Sequence, residues 1–325
     1  MKSLMLTRLL AVTLLVLIFA DSSSAQTYPD RAVRIVVGHA AGSSPDVVAR
    51  LVANRLSSRF GQPFVIENRV GANGSLAAEA VSRAPPDGHT LLVAGSSVIA
   101  TNPFLYPKTS NAIISGLTPL TNLTGLDFLL AARSSLGAHS FADLLAAIKA
   151  SPGKLNMATT NIGSFQYLGA ALLKQMGGLE FTTVPFQGGA AAATAVAGGH
   201  ADMLIDTGAI IYPLAQHGVM KIVATTGTRR DPSLPDVPTI AESGFPGYQV
   251  LGWIGMMAPA GTPPAILSLL HSNIAASFKD DDAPAQLKKM GLMAIANSPA
   301  DFTMELVEER ERWKRVISTL GLTLD

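Results

Sequence analysis

Short β-branched runs alternate with amphipathic helical patterns along almost the whole chain, and this alternation limits the possible folds more than any other feature. The run Val33–Val37 is followed by a glycine-rich turn and by a helix predicted over 45–60. Further helices are predicted at 75–84, 165–176, 189–197 and 299–320, and another begins after Ser140, with Asp143 completing a capping box. Further strands are predicted at 64–67, 91–94, 128–131, 155–158, 181–184, 203–205 and 222–225.

Strands that alternate with helices predict parallel sheets covered on both faces. One domain of this kind stops growing near ~250–300 residues, so a chain of 325 residues is expected to form two α/β lobes. The irregular stretches 102–124 and 227–238 are predicted crossovers between the lobes. The first lobe would then comprise 26–124 and 227–325, and the second lobe would comprise 125–226.

Residues 1–25 are predicted to be a secretory signal peptide. Lys2 and Arg8 precede an apolar run over 9–19, and small residues follow over 22–25. The apolar run is shorter than the ~20 residues that span a bilayer. Cleavage is expected after Ala25, which places the mature protein in the periplasm. A buried N-terminal helix is the alternative interpretation.

The sequence contains no cysteine, which excludes disulfides, thiolate metal sites and cysteine nucleophiles. The whole chain has 24 basic and 23 acidic residues, and removal of the signal peptide leaves 22 of each. A neutral mature chain gives no indication of a nucleic acid or an anionic membrane surface as a partner. An anionic ligand would therefore be held by local geometry and not by overall charge.

The turn that follows the first strand, residues 38–46, is the most informative candidate site. It lies at the carboxyl end of a predicted parallel strand, where open α/β sheets bind their ligands. Ser44 is predicted as the helix N-cap and Pro45 as the first helical residue. Backbone N–H groups and the helix dipole would hold an anion there without an arginine, although an ordinary turn between strand and helix is the alternative. The candidate ligand-binding residues of this turn are His39, Ala40, Ala41, Gly42, Ser43 and Asp46.

A second turn, residues 159–164, has the same physical character, because it also leads from a strand into a helix and contains a glycine and a capping serine. If the two turns belong to different lobes, a carboxylate between them would accept hydrogen bonds from both, directly or through water. The candidates here are Thr159, Thr160, Asn161, Gly163 and Ser164, together with Phe186 and Gly188 of a third helix-opening segment, Ser96 after the third strand, and Asp206.

Three candidates have a structural role as an alternative. Asp46 lies in the first turn of its helix, where an acid stabilises the dipole, and a ligand contact of Asp46 would be with an amino or hydroxyl group. His39 would otherwise be a satisfied histidine of the turn. Asp206 would otherwise cap the next helix.

Enzyme and metal signatures are missing from the sequence. It contains no G-x-S-x-G elbow, P-loop, G-x-G-x-x-G or H-E-x-x-H motif, and its six histidines show no metal-ligand spacing. A binding protein without catalytic residues, metal or cofactor is therefore predicted. Trp253 and Trp313 are predicted packing residues, and the mixed charges of 308–315 are predicted to form a solvated helix face.

A series of short motifs occurs in order along the mature chain: YPDR at 28–31, GQP at 61–63, ENR at 67–69, GANG at 71–74, DGHTLL at 87–92, SPGKLN at 151–156, VPFQG at 184–188, LPDVPT at 234–239 and APAGTP at 258–263. Each motif alone is weak evidence. Together they make the sequence resemble the substrate-binding proteins of tripartite tricarboxylate transporters, also called Bug-type receptors, from Tyr28 to the C-terminus.

The resemblance implies a two-lobed Venus-flytrap fold, of the type II periplasmic-binding-protein class, with a ligand cleft between the lobes. In the family, the turns after the first strand of each lobe hold a ligand carboxylate, partly through water, and these turns correspond to 39–46 and 159–164. The sequence departs from the family at Gly42 and Ser43, where two glycines are usual, at His39, and at Phe186 and Gln187, where tyrosine and lysine are usual. Because the rim is less charged than is usual in the family, the ligand could be an apolar or aromatic acid as readily as a polycarboxylate.

The predicted function is an extracytoplasmic receptor that captures a small organic carboxylate and delivers it to the membrane permease subunits of a tripartite tricarboxylate transporter. The receptor is expected to be a monomer. A periplasmic sensor component that presents its ligand to a membrane kinase is an alternative, and an enzyme on the same fold is a second alternative from another class.

Overall fold

The computed structural model describes residues 28–231, 233–280 and 282–324, and the predicted signal peptide lies outside them. The strands are β1 (Val33–Val37), β2 (Phe64–Asn68), β3 (Thr90–Gly95), β4 (Leu117–Arg133), β5 (Asn156–Thr159), β6 (Thr182–Pro185), β7 (Met203–Thr207), β8 (Met220–Thr225), β9 (Leu251–Pro259) and β10 (Leu292–Ala294). Within the described residues, no helix combines the length and the apolar character needed to cross a membrane.

The α-helices are α1 (Ser44–Phe60), α2 (Ser75–Ser82), α3 (Ser97–Ala100), α4 (Asn102–Leu105), α5 (Pro107–Ser115), α6 (Phe141–Ala150), α7 (Phe165–Gly177), α8 (Gly189–Ala197), α9 (Gly208–Gln216), α10 (Pro264–Asp280), α11 (Ala283–Lys289) and α12 (Pro299–Leu320). The predicted capping box is confirmed, because Ser140 and Asp143 exchange side-chain hydrogen bonds with each other's backbone N–H groups at the start of α6. The predicted cap of α1 is wrong by one residue, since Ser43 has the extended backbone of an N-cap and Ser44 is already helical.

The strands follow the order β2-β1-β3-β9-β4-β7-β5-β6, and β8 and β10 also pair with β4. In one half, β1 pairs in parallel with β2 and β3. In the other half, β5 pairs in parallel with β6 and β7. All pairs that involve β4 or β9 are antiparallel, so the prediction of purely parallel sheets is wrong for the centre of the molecule.

The long strand β4 joins the two halves. Its residues 117–127 pair with β9, and its residues 128–133 pair with β7 and β8. The irregular structure predicted over 102–124 is therefore wrong, because this stretch contains α4, α5 and the first part of β4. Its role as a crossover between the lobes stays a prediction. Two of the polar residues that suggested a loop are buried and bonded: Thr121 donates to the Asn297 carbonyl, and the Asn122 N–H donates to the Asn297 side chain. Pro119 is tolerated because the register with β9 shifts there.

The core is divided in the same way. Buried residues of β1, β3, β9 and α1 pack together in the first half, and buried residues of β5, β7, α6 and α7 pack together in the second half. Helix α12 belongs to both, because Phe302 and Leu306 pack in the first half while Trp313 and Ile317 pack in the second. The domain boundaries given by the sequence stay a prediction.

Helix α12 buries one face, and that face includes an acid. The buried residues Phe302, Leu306, Glu309, Trp313 and Ile317 recur at helical spacing. The prediction of a solvated face over 308–315 is therefore wrong for Glu309, which accepts a hydrogen bond from the Trp253 indole N–H. The predicted packing role of both tryptophans is confirmed by their burial.

Candidate functional site

The carboxylate of Asp46 holds the first turn in shape. Its Oδ2 accepts from the Gly42 N–H and from Arg50 Nε, both at 2.9 Å. Its Oδ1 accepts from Asn68 Nδ2 at 2.8 Å and from Arg50 Nη2 at 3.1 Å. The same amide of Asn68 also donates to the His39 carbonyl at 3.0 Å. Both ends of the turn, the His39 carbonyl and the carboxylate of Asp46, are thus tied to the amide of Asn68, and Asp46 itself is only 2% exposed.

The charge of Asp46 is stabilised by these donors. Burial alone would raise the pKa of Asp46, but the hydrogen bonds from Arg50, Gly42 and Asn68 outweigh it and lower the pKa. Because both oxygens already accept from protein donors, the structure favours a role for Asp46 in shaping the turn over a ligand contact. The roles of Arg50 and Asn68 were not predicted from the sequence, although Asn68 lies in the ENR motif.

The outer part of the first turn is open. Ala40, Ala41 and Gly42 are exposed, and Gly42 has a φ of 81° with no atom within 4 Å of the position that a Cβ would occupy. The Ser43 hydroxyl donates to the Ala40 carbonyl at 2.6 Å and does not cap α1. The first N–H groups of α1 therefore lack a side-chain cap, which is the arrangement that favours an anion at a helix N-terminus.

The side chain of His39 turns inward from the same turn. Its ring lies 3.3 Å from the position of a Cβ on Gly95, the residue that precedes Ser96. Its Nδ1 is buried and has no hydrogen-bond partner among the described residues. Burial lowers the pKa of His39 to about 4, so the ring is neutral near pH 7.

The second turn is capped as predicted, since the Ser164 hydroxyl accepts from the Tyr167 N–H at 3.1 Å. Gly163 has a φ of 83°, a conformation that favours glycine. Thr159 is fully buried, and Thr159 Oγ1 and Asn161 Oδ1 are buried without a hydrogen-bond partner among the described residues. Thr160 lies between them and is partly exposed.

The segment α3–α4 packs against the second turn. It begins directly after Ser96, and its Thr101 hydroxyl donates to the Gly163 carbonyl at 3.1 Å. A Cβ on Gly163 would lie 2.6 Å from Leu105 Cδ1, so the second turn packs closely on this segment. The role of Thr101 was not predicted from the sequence.

The third segment lies beside the second turn. The Phe186 N–H donates to the Thr159 carbonyl at 2.9 Å, and Gly188 is the N-cap of α8 with a φ of 100°. Asp206, at the end of β7, is 3% exposed. Its Oδ1 accepts from the Thr207 N–H at 2.7 Å and from Gln166 Nε2 at 3.5 Å. Asp206 is not the cap of α9, because Thr207 holds that position.

Four of the predicted site residues have a buried polar atom without a hydrogen-bond partner among the described residues: His39 Nδ1, Thr159 Oγ1, Asn161 Oδ1 and Asp206 Oδ2. Other buried residues, such as Thr124 and Thr225, also have one, so the property is not confined to the site. Buried polar atoms in native proteins are nearly always paired, so water or a ligand is expected to complete the hydrogen bonding of these atoms. The arrangement offers polar side-chain atoms and helix N-termini in both halves.

The described residues contain no group of three or more His, Cys, Asp or Glu side chains that could hold a metal ion. Surface depressions of about 320 and 490 Å³ lie elsewhere, one beside α7 and the end of α12 and one beside β2 and α2. None of the predicted site residues lines either depression.

Two α/β halves joined by a shared strand, with helix-opening turns at strand ends in both halves, define a two-lobed solute-binding protein of the periplasmic type. Residues 48–322 match the model of the tripartite tricarboxylate transporter family receptor. The chain belongs to this family.

The relatives agree with this assignment. The protein BugT of Bordetella pertussis is 29% identical over 323 residues, which cover 98% of this chain and 99% of that protein. The structure of Rpa4515 of R. palustris with adipate has a TM-score of 0.86 at 34% identity and covers 91% of this chain and 100% of that chain. The structure of MatC from Rhodopseudomonas palustris with bound malate has a TM-score of 0.80 at 33% identity, and the match covers 89% of this chain and 100% of that chain.

Proposed function

We propose that this receptor binds a small organic carboxylate between the turns 39–46 and 159–164 and delivers it to the permease subunits of a tripartite tricarboxylate transporter. The observation that carries the proposal is that both turns hold a buried atom without a partner that can donate to a carboxylate, His39 Nδ1 in the first turn and Thr159 Oγ1 in the second. The unpaired Asn161 Oδ1 and Asp206 Oδ2 are acceptors and would face other groups of the ligand. The proposal also includes export of the protein, with a mature chain that begins at Gln26.

Neutral donors on fixed turns are sufficient for this task. A hydrogen bond to a charged group contributes roughly 1.5–3 kcal/mol. Two or three such bonds, with the dipoles of α1 and α7 behind them, reach micromolar affinity, which corresponds to about −8 kcal/mol. Because the side chains of Arg50 and Asp46 neutralise each other, the ligand would be selected by geometry more than by net charge.

The solved neighbours narrow the ligand class. Rpa4515 was solved with adipate and MatC with malate, and both ligands are dicarboxylates. We therefore propose a dicarboxylate as the first class to test for this chain. Aromatic and apolar acids form the second class, because Phe186 and Gln187 make the rim less charged.

Mass spectrometry of ligand that copurifies with the exported protein is the most direct test, followed by a thermal-shift screen of dicarboxylates and aromatic acids. Binding should raise the Tm with increasing ligand concentration. An absence of any stabilising carboxylate in both experiments would refute the proposed ligand class.

The position of the site is tested by Thr159→Val, which removes one hydroxyl with almost no change in volume. Calorimetric titration should show at least about tenfold weaker binding of the identified ligand. Thr124→Val is the matched control, because Thr124 is also fully buried with an unpaired hydroxyl but lies in the first part of β4. Equal affinities of the two variants would place the site elsewhere.

Delivery and export are tested separately. Deletion of the permease genes should abolish uptake of the ligand while the receptor still binds it, whereas unchanged uptake would favour a sensor component.

Intact-mass measurement of the exported protein should give a chain that starts at Gln26, and size-exclusion chromatography with light scattering should give a monomer. Unchanged ligand after long incubation supports binding without turnover, and accumulation of a product would favour an enzyme.

A further inference from the structure

The two helix-opening turns have the same backbone shape. In each turn a serine N–H donates to the carbonyl three residues earlier, at 3.2 Å for Ser43 and at 3.0 Å for Ser164. The residue before that serine is a glycine with a positive φ, 81° at Gly42 and 83° at Gly163, as in a type II turn. Both serines have an extended backbone, and a helix follows each of them. The same local shape therefore has to be held in place twice.

The residue that holds the first turn has no counterpart in the second. Asp46 lies four residues after Gly42 and accepts from the Gly42 N–H at 2.9 Å. The position four residues after Gly163 is occupied by Tyr167, which has no carboxylate. Support for the second turn has to come from another part of the chain.

Thr101 supplies this support from outside the turn. Its side chain is fully buried, and its hydroxyl lies 3.1 Å from the Gly163 carbonyl oxygen. The Ser97 carbonyl lies at the same distance, but that carbonyl already accepts from the Thr101 N–H. Among the described residues, Thr101 is the only donor to the buried Gly163 carbonyl, and a buried carbonyl without a donor is costly. The single hydroxyl proton of Thr101 is therefore needed at Gly163.

This hydrogen bond joins the two halves of the molecule. The segment α3–α4 begins directly after Ser96, whose N–H donates to the Trp253 carbonyl on β9. Val98 of the segment packs in the core of the first half, and Leu105 packs in the core of the second half. Thr101 lies between them, so its bond to Gly163 relates the second turn to the strand ends of the first half.

We propose that Thr101 is a positioning residue of the ligand site, whose hydroxyl holds the turn 159–164 in the orientation that presents the first N–H groups of α7 to the ligand carboxylate. The inference rests on the proposed function, which places the carboxylate between the two turns. A carbonyl oxygen that turned towards the ligand would repel a carboxylate. By binding the Gly163 oxygen, Thr101 keeps this carbonyl directed into the protein and the turn preorganised.

Two substitutions at Thr101 separate its hydroxyl from its volume. Thr101→Val removes the hydroxyl and keeps the shape of the side chain, whereas Thr101→Ser keeps the hydroxyl. The mature protein is titrated calorimetrically with malate and with adipate. Thr101→Val should bind the better of these dicarboxylates at least about tenfold more weakly than the wild type, and Thr101→Ser should stay within about threefold. Thr101→Ala, which needs less space than valine, should show the same loss as Thr101→Val.

Thr262→Val is the matched control. Thr262 is also buried, and its hydroxyl donates to the Pro259 carbonyl at 2.7 Å. Pro259 ends β9, which is antiparallel to β3, so this bond lies away from the carboxyl end of β3. Thr262→Val should lose a similar amount of stability in urea denaturation and keep the wild-type affinity. An equal loss of affinity in Thr262→Val and Thr101→Val would show a general effect of stability and overturn the inference.

Hydrogen–deuterium exchange tests the same bond without a ligand. In Thr101→Val the amides of Ser164 and Tyr167 should exchange at least about tenfold faster than in the wild type. The amides of Ser43 and Val47, which are hydrogen-bonded in the first turn, should exchange at the wild-type rate. Unchanged exchange in the second turn would show that Thr101 does not hold it.

The outcomes separate this inference from the proposed function. If no carboxylate binds the wild type, the proposed function is wrong, and the exchange measurement still decides whether Thr101 holds the turn. If a carboxylate binds the wild type and Thr101→Val equally well, the role of Thr101 is wrong while the proposed function stands. A Thr101→Ser variant that binds as weakly as Thr101→Val also overturns the inference, because the hydroxyl would then not be the group that matters.

Discussion

The two helix-opening turns are alike in sequence and are held by different forces. The turn at 39–46 is fixed within its own half by the buried carboxylate of Asp46 and its donors Gly42, Arg50 and Asn68. The turn at 159–164 has no such charge. It is fixed by the cap of Ser164 and by contact with the segment α3–α4.

Two turns with the same local sequence pattern can therefore depend to different extents on the rest of the molecule. The first turn keeps its shape as long as one ion pair and two amide donors stay in place. The second turn needs the correct packing of a segment that follows a strand of the other half. Changes in the first turn should therefore act through buried charge, and changes in the second through packing.

Asp46→Ala should have the largest effect. It leaves the Gly42 N–H and the Asn68 amide without their acceptor and breaks a pair in which the acid is buried, although Arg50 is half-exposed. We expect a loss of about 3 kcal/mol in the free energy of unfolding at pH 7, measured by urea denaturation.

The pH dependence gives the control for this prediction. The pKa of Asp46 is lowered in the folded state. The stabilisation of the folded protein by this carboxylate is therefore present above the ordinary aspartate pKa, and it disappears as the pH falls through the pKa of Asp46 in the folded state. The difference between wild type and Asp46→Ala should shrink below about pH 4. A difference that is independent of pH would show that the charge is not what holds the first turn.

Glu309→Gln tests a buried acid on the helix that packs against both halves. Glu309 accepts a hydrogen bond from Trp253, whose carbonyl accepts from the Ser96 N–H. Glu309 also lies one helical turn before Trp313, and Trp313 packs on Phe165 at the start of α7. Burial raises the pKa of Glu309 to about 7. Its stabilising contribution is therefore present below the ordinary glutamate pKa and is lost as the pH rises through about 7.

The expected result is a variant that is more stable than the wild type by roughly 2–3 kcal/mol at pH 8 and nearly equal to it at pH 4. Urea denaturation across this pH range measures the difference. A variant that is less stable at pH 8 would show that the charged form is stabilised by Trp253 and Arg312 more than burial penalises it.

Gly163→Ala and Gly42→Ala compare the turns directly. The two glycines have φ values of 83° and 81°, so the backbone strain of an alanine is the same. Only Gly163 has a close neighbour, because its Cβ would lie 2.6 Å from Leu105 Cδ1, whereas Gly42 faces open space. We expect Gly163→Ala to lose about 2 kcal/mol more stability than Gly42→Ala.

The contact itself can be removed in a double variant. In the background of Leu105→Ala, the substitution Gly163→Ala should cost much less stability than it does in the wild type, because the close contact is gone. A double-mutant cycle measures this difference in the free energy of unfolding. Equal losses at Gly163 and Gly42 would mean that α3–α4 does not shape the second turn.

Ser164→Ala and Ser43→Ala should give the smallest difference. Ser164 caps α7 through its hydroxyl, and its loss should cost about 1 kcal/mol. Ser43 occupies the same position on α1 but bonds to the Ala40 carbonyl instead, so its loss should cost about half as much. Thermal denaturation of the two variants is sufficient to rank them.

Features that depend on neighbours in the chain were predictable. The strand Val33–Val37, the helix after Gly188 and the capping box of Ser140 follow from periodicity and from the hydrogen bonds that a short side chain makes to its own backbone. The ordered motifs predicted the family, and the match over residues 48–322 confirms it. A strand was predicted over 128–131, but the first part of the long strand β4 was missed, because its threonines, asparagine and Pro119 look like a loop until their distant partners are known.

The sequence by itself determined where strands and helices alternate, which turns have glycine and serine, and which family the chain belongs to, because these depend on local spacing and order. Only the tertiary structure decided that Asp46 faces its own half, that Glu309 is buried and that Gly163 packs on Leu105. Glu309 and Gly163 depend on partners far along the chain, and Asp46 depends on Asn68 as well as on its near neighbours Gly42 and Arg50. Burial and hydrogen bonding between distant segments set the pKa and the packing of a residue, and no local pattern contains them.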